Sequence, residues 1–499
     1  MNTAVITPHG PASRSSAHWP SGLSRLWTCC TLTLLLSACA APSARAPVTV
    51  ELPATWQAPL PHDGSVAALA DWWRAFPDPL LASLIERAQA ANPDLKMAVA
   101  RHRQARALVA EAGAGLLPRL DADASWSRGR NLNNVPGLST QAESQFSASW
   151  EIDLFGGRRA AVEEQAARAE AAEQEWHAAR VTLGADVAAA YVQLRLAQAR
   201  EEVAELDRRL AEQLAAWGRL QRDAGLLNAS EAALLQTDAA LAAARRSAEQ
   251  AEVRVALQEL ALLLGVPAAT LEEELGAPGL PTGWAAPRRE LPEVPPFAVD
   301  TLPAQLLAQR PDVAAAHQHW LAAQAHRRSV HAERYPQLSL GALVGEARLQ
   351  AGGQTGVSSL WSLGPSLTLP LFDGGARRAR DQAALAAVDE AAAALQGKWQ
   401  TAVAEVEEAL ARLAAAGDRR REAETVAREW QGIARRAVLQ ARVGQHSGPQ
   451  RAAAQRNALA AHDDLLTARA SQAQAWIRLY RSLGGGWSLN PNEQRVVQP

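Results

Sequence analysis

Four short stretches of the chain alternate between an apolar set and a mostly polar or small set of residues. In the first, Leu120, Ala122, Ala124 and Trp126 alternate with Asp121, Asp123, Ser125 and Ser127. In the second, Phe146, Ala148, Trp150, Ile152 and Leu154 alternate with Ser147, Ser149, Glu151 and Asp153. The third sets Leu338, Leu340, Ala342 and Val344 against Ser339, Gly341 and Leu343. The fourth sets Trp361, Leu363, Leu367, Leu369 and Leu371 against Ser362, Gly364, Ser366 and Thr368. A period of two sends one set to each face of a strand. The Gly-, Asn-, Ser- and Thr-bearing stretches 129–143 and 345–358 read as the loops between paired strands.

The rest of the pattern is helical. Residues 94–116 and 312–334 each form a helix stopped by Pro118 and Pro336. After the second strand of each pair comes a Gly-Gly and then an Ala-rich stretch without proline, 158–222 and 376–442. About 65 helical residues reach roughly 100 Å, too long for a globule and suited to a coiled coil or helical barrel. Glycine turns at Gly225 and Gly444 send the chain back through return helices 228–264 and 450–483.

These elements occur twice. Asn92-Pro93-Asp94 recurs as Arg310-Pro311-Asp312, and Leu117-Pro118 as Tyr335-Pro336. Leu154-Phe155-Gly156-Gly157 recurs as Leu371-Phe372-Asp373-Gly374-Gly375, and Leu264-Gly265 as Leu483-Gly484. The offset is 218 positions at Pro93 and 219 at Gly265. One structural unit is therefore present in two copies, 92–265 and 310–484. They are joined by a Pro-rich linker, 266–309, expected to be extended, and followed by a tail, 485–499.

Nothing in either copy supplies a layer to cover the apolar face of the strands, because everything else is long helix. Strands of about 9–11 residues with one apolar and one polar side suit a membrane β-barrel, lipid outside and lumen inside. Asp121, Asp123, Glu151 and Asp153 then face the lumen. Four strands cannot close a barrel, and open edges are not tolerated in lipid, so several chains must pool their strands.

The N-terminus changes the picture by adding an anchor. No acidic residue precedes Glu51, and Arg14 and Arg25 precede the apolar stretch 26–38. That is a signal peptide, 1–38, too short to span a bilayer. Its end, Leu36-Ser37-Ala38-Cys39, resembles the bacterial lipobox. The resemblance implies cleavage before Cys39, a diacylglycerol on its sulfur, and a lipidated segment 39–91 ending in a first helix. Ala40 implies sorting to the outer membrane. Cys29 and Cys30 lie in the removed segment, so the mature chain has no disulfide.

Charge and candidate chemistry mostly exclude. The formal charge of −2 gives no basic field for nucleic acid. His317 and His319 point about 200° apart on a helix, and His326 and His331 lack i,i+4 spacing, so no metal site is expected. There is no P-loop, nucleophile elbow or other catalytic constellation, so neither an enzyme nor a cofactor is expected.

Strand, Ser149 to Arg159, long helix, glycine turn and return helix, all doubled, resemble the TolC-like outer membrane factors. Leu369-Pro370-Leu371-Phe372-Asp373-Gly374-Gly375 is the matching second-copy signature. With the lipobox, the chain is most similar to the NodT-type lipoprotein branch. The resemblance implies a mostly α fold with two repeats in a homotrimer. Each protomer would give four strands to a β-barrel in the outer membrane of a Gram-negative bacterium. The helices would form a periplasmic α-helical barrel whose glycine turns meet an adaptor protein and an inner-membrane pump. The implied function is a passive conduit for efflux. The alternatives are a channel for type I protein secretion and, less favoured, a periplasmic coiled-coil adaptor.

The tip departs from that family pattern. Six residues after Gly444, where relatives carry Asp, stands Gln450, followed by Arg451; Glu231 holds the corresponding position after Gly225. Gln450 and Arg451 are expected to line the closed end, with Glu231 contributing less.

Overall fold

The computed structural model describes residues 72–74, 76–130, 137–275, 291–297 and 310–485. The signal peptide and Cys39 lie outside the described residues. Two short helices, α1 (Pro79–Ala91) and α2 (Pro93–Ala114), lead into β1 (Arg119–Arg130) and β2 (Leu138–Ile152). Then come α3 (Gly157–Asp223), α4 (Ala229–Leu264) and α5 (Ala268–Leu275). The second copy repeats the order as α6 (Pro311–Ala332), β3 (Gln337–Ala351), β4 (Gln354–Thr368), α7 (Ala376–Arg442) and α8 (Gly448–Ser482).

The long helices α3 and α7 are each 67 residues, about 100 Å of rod. Each is entered through a glycine in the left-handed region, Gly156 (φ 76°) and Gly375 (φ 90°). There the chain swings from strand into helix, a backbone turn that a Cβ would strain. Asp153 and Asp373 cap these entrances by accepting from the backbone N–H groups of Arg158 and Arg159, and of Gly375 and Arg377. Each copy is closed by the residue before its first helix. Asn92 Nδ2 donates to the Leu263 carbonyl at 3.2 Å, and Arg310 Nη1 to the Ser482 carbonyl at 2.8 Å. Both carbonyls are among the unpaired acceptors at the end of a return helix.

The four strands form one antiparallel sheet in the order β1-β2-β3-β4, so β2 and β3 join the two copies. Two corrections to the sequence reading concern this sheet and the linker. Among the described residues, 129–130, 137–143 and 345–358 are mostly strand, not loop. The third and fourth strands run to a two-residue turn at Gly352 (φ 58°) and Gly353 (φ 80°). Beyond the apolar band both faces turn polar, through residues such as Gln141, Glu143, Glu346 and Arg348, which erases the period-two signal while the pairing continues. The linker also holds a helix, α5, whose Leu271 and Leu275 are buried. Pro267 and the acidic run Glu272 to Glu274 had masked it as extended chain.

Midway along the rods an aromatic belt sits within the main hydrophobic core. Trp72 and Trp73 pack against Phe76, Phe297 and Tyr480, and Trp72 Nε1 donates to the Pro295 carbonyl at 3.0 Å. Arg87 on α1 pairs with Glu274 on α5 at 2.6 Å. The Tyr191 hydroxyl on α3 binds Asp78, just ahead of α1, so the belt lies on this face of α3. Three of the four histidines of α6 are used as joints to its neighbours. His319 meets Glu175 and His326 meets Glu164 on α3, both at 2.9 Å, while His331 meets Asp381 on α7 at 3.3 Å.

Candidate functional site: the strand wall and the distal turns

The register places all four apolar sets on one face. Leu120, Ala148, Ala342 and Leu363 form one cross-strand row, and Ala122, Phe146, Val344 and Trp361 the next. In the single chain these side chains are bare; Leu120 is 72% and Trp361 79% exposed. An apolar face of this extent needs a partner, and no layer among the described residues covers it. Trp150 and Trp126 stand near its two ends, in rows passing through Leu340 and Arg348 of β3. Eight residues of strand span about 26 Å, close to the apolar band of an outer-membrane barrel, and indoles belong at its borders. The Trp150 indole donates to the Leu116 carbonyl at 2.9 Å, tying the helical end of the sheet to the end of α2.

The opposite face carries Asp121, Asp123, Glu151, Ser147, Ser149, Ser339 and Ser366. Asp153 is a correction. It lies past the end of β2 and serves α3 as a cap, held by Arg159 at 3.1 Å. Burial favours its neutral form, but the hydrogen bonds from Arg159 and Arg158 outweigh burial and hold its pKa below the ordinary carboxylate value. The lumen side is also less acidic than its carboxylates imply. Asp121 pairs with Arg119 at 2.9 Å and Glu151 with Arg158 at 2.5 Å. Among the described residues Asp123 makes no ion pair. The intervening arginines were visible in the sequence, but their direction was not.

At the far end the two hairpin turns share one geometry. Gly225 (φ 73°) and Gly444 (φ 76°) adopt the left-handed conformation. The next amide reaches back, Leu226 to Gln221 and Gln445 to Gln440, each at 2.8 Å. This is a Schellman closure and requires glycine at the turn. Both return helices then open on a capping box. Asn228 accepts from the Glu231 amide at 2.8 Å while the Glu231 carboxylate accepts from the Asn228 amide at 3.4 Å. Ser447 and Gln450 repeat the exchange. Free amides of a first helical turn draw such side chains back, so Glu231 and Gln450 are committed to the caps. Arg451 lies over Trp217 of α3, 5.6 Å from the ring centroid. Trp217 also presses on Gly448, where an added Cβ would fall 1.5 Å from its ring.

Sequence reasoning missed the charged seam above these turns. Arg456 on α8 joins Asp207 on α3, at 2.6 Å, and Asp238 on α4. Arg200 on α3 joins Asp463 on α8 at 3.0 Å and Glu249 on α4 at 3.3 Å. Each arginine thus ties the two hairpins together across a groove of about 610 Å³ floored by Ala204, Ala248, Ala453 and Ala460. Nearby, the hydrogen bond from Arg208, with help from Arg209, holds the Glu205 carboxyl at about 2 despite burial.

Two copies of strand pair, rod and return helix are what comparison with known proteins also finds. The profile of the outer membrane efflux protein family matches residues 84–266 and again 302–485. The chain belongs to the outer membrane efflux protein family. It is 31% identical over 474 residues to the pyoverdine export outer membrane protein OpmQ of Pseudomonas putida, covering 92% of this chain and 97% of that one. It is 28% identical over 403 residues to nodulation protein T of Rhizobium leguminosarum, covering 79% and 80%. Among solved structures, the outer-membrane channel OprN superposes with a TM-score of 0.74 at 30% identity, over 90% of this chain and 99% of that one. In the family's terms, the sheet is the membrane wall and the distal turns are the periplasmic end.

Proposed function

We propose that this chain is the outer-membrane conduit of a tripartite efflux system. It carries substrate delivered by an inner-membrane pump and a periplasmic adaptor, and adds no catalysis of its own. The observation that carries the reading is the single apolar face shared by all four strands, on a chain whose remaining length is a rod of about 100 Å.

The working unit is a homotrimer. Four strands leave β1 and β4 with open edges. Two chains would make an eight-stranded barrel, which side chains fill; three make twelve strands and leave a lumen. The junction between the two copies inside one chain is the pattern for the junction between chains. Inside, Phe155 stacks on Tyr335 at 4.7 Å. The repeat equivalents, Phe372 and Leu117, are 93% and 66% exposed and unmatched in one chain. Inside, α3 meets α8 through Gln193, Arg200 and Asp207 facing Gln474, Asp463 and Arg456. Shifted by the repeat, the same contact sets Arg412, Arg419 and Val426 of α7 against Val255, Ala244 and Thr237 of the next chain's α4. On that side α4 shows an apolar stripe at every seventh residue, with Leu234 68%, Leu241 53%, Val255 51% and Leu262 78% exposed. At rest the tip is closed, held by Arg456, Arg200 and the Trp217 contact, since an open conduit would leak.

Cys39 carries the lipid that holds the mature N-terminus to the membrane before the barrel closes, each buried CH2 adding about 0.8 kcal/mol. Metabolic labelling with a lipid precursor is expected to mark the wild-type protein and not Cys39→Ala. Equal labelling removes the anchor. The conduit reading itself is tested in a strain lacking the gene and its pump partners' alternatives: restored export of the pump's substrate by the wild-type chain supports it. Pore formation without any restored export contradicts it.

A further inference from the structure

One strongly charged surface makes no ion pair with another helix among the described residues and takes no part in the proposed trimer. Arg421, Arg428, Arg435 and Arg442 recur at intervals of seven along the distal third of α7, and all four are exposed. Arg421 pairs with Asp418 and Arg428 lies in the field of Glu424, one turn before it; Arg435 and Arg442 make no ion pair among the described residues. The row extends over about 32 Å. The equivalent row on α3 reads Glu202, Arg209, Ala216 and Asp223, so the stripe is not a general property of the repeat.

Its direction follows from helical geometry. Ala427 on α7 packs with Ala461 and Leu465 of α8, and Ala434 continues that row. Val426 and Ile433, one residue earlier, sit where the repeat places the neighbouring chain, about 100° round the helix. The arginines, one residue after the α8-facing row, fall in the remaining arc of about 260°. In a closed ring of helices the lumen lies on the narrower arc between a helix's two neighbours, so the arginines face outward. The aromatic belt agrees: it meets α3 at Tyr191, on the helical face that Arg195 and Glu202 continue, and repeated round a ring a belt of that bulk would block the lumen if it lay inside.

We propose that this arginine row is the docking stripe for an acidic-faced helix of the periplasmic adaptor. The proposal rests on the tripartite reading above and deepens it by giving the partner's chemistry. An interval of seven matches a helix lying along α7, not a small ligand. Arg435 and Arg442 outside any ion pair, and Arg428 sharing Glu424 with Arg420 and Arg469, call for carboxylates at the same spacing. Beside them run Thr425 and Gly432, small enough to admit a helix closely. Charges at a rim set the association rate and its salt dependence.

The test uses the full-length protein in lipid nanodiscs and two synthetic helical hairpins of identical length and apolar seam. One carries Glu and the other Lys at its exposed heptad positions. The Glu hairpin is expected to bind wild type, less tightly as salt rises, and the Lys hairpin to bind at least tenfold more weakly. Arg428→Ala/Arg435→Ala/Arg442→Ala is expected to lose about tenfold for the Glu hairpin. Replacing the same three by Glu is expected to reverse the preference. Equal binding of both hairpins to wild type, or an unaffected triple variant, overturns the stripe. Reversal potentials in planar bilayers give an independent check: the triple variant is expected to match wild type, and a shift toward cations would put the arginines in the lumen and overturn the proposal. Absence of any pore in wild type would instead fail the conduit reading.

Discussion

Ala148→Arg is expected to prevent assembly of the membrane barrel, while Ser149→Arg leaves it intact. The two positions are adjacent, but Ala148 stands in the row of Leu120, Ala342 and Leu363, and Ser149 in the row of Arg119, Gly341 and Gly364. A charge on the lipid face near the midplane costs about 2–4 kcal/mol, and in the proposed trimer the penalty falls three times on one closure. At 149 the new guanidinium meets water and a row already containing Arg119. Heat-modifiable migration on gels, with membrane fractionation, reads the outcome. Equal assembly of both variants would mean the sheet presents its other face to lipid.

Arg456→Ala is expected to open the periplasmic end. Its guanidinium spans both hairpins, pairing with Asp207, 17% exposed, and with Asp238, 46% exposed. Removing one partner of a fully buried pair costs about 3–5 kcal/mol. Partial exposure here reduces that to about 1–2 kcal/mol per chain. A difference of about 1.4 kcal/mol is a factor of ten in an equilibrium, so loss in all three chains of the proposed trimer favours an open tip strongly. Resting conductance in planar bilayers is expected to rise at least tenfold, with Arg456→Lys intermediate. Gln450→Ala and Glu231→Ala, which lose caps at a cost of about 1 kcal/mol within one helix, are expected to leave it near wild type. An unchanged conductance for Arg456→Ala would place the closure elsewhere.

The contrast at the tip shows what the sequence could and could not disclose. Period-two alternation, the doubled punctuation by proline and glycine, and the proline-free rods are local signals, and they yielded the strands, the repeat and the long hairpins. The signal failed where locality failed. Beyond the apolar band, Glu143 and Arg348 belong to paired strands but face water on both sides, so no alternation marks them. Asp153 continues the alternating run past its strand because a helix cap wants the same residue type as a wet strand face. Arg456 and Asp207 lie 249 positions apart, and no local pattern joins them. The capping boxes were readable, as Asn-x-x-Glu and Ser-x-x-Gln directly after each glycine turn. Attention to the position where relatives place an acid hid them. Arg451, beside Gln450, spends its charge on Trp217, whose place opposite Gly448 only the folded hairpins reveal.

The central claim is that the chain closes into a ring by repeating between molecules the contact it already makes within itself. Asp207 and Arg456 mark that contact inside one chain; their repeat equivalents are Val426 and Thr237, on the two open flanks. With Cys29 and Cys30 in the expected signal peptide and Cys39 the proposed lipid site, Val426→Cys/Thr237→Cys in outer membranes treated with a short bis-maleimide gives the most direct measurement. The account predicts covalent dimers and trimers on denaturing gels, with trimer the upper limit. Each single-cysteine variant is expected to give none. Linkage confined within one chain, or a ladder that continues past three, would contradict it.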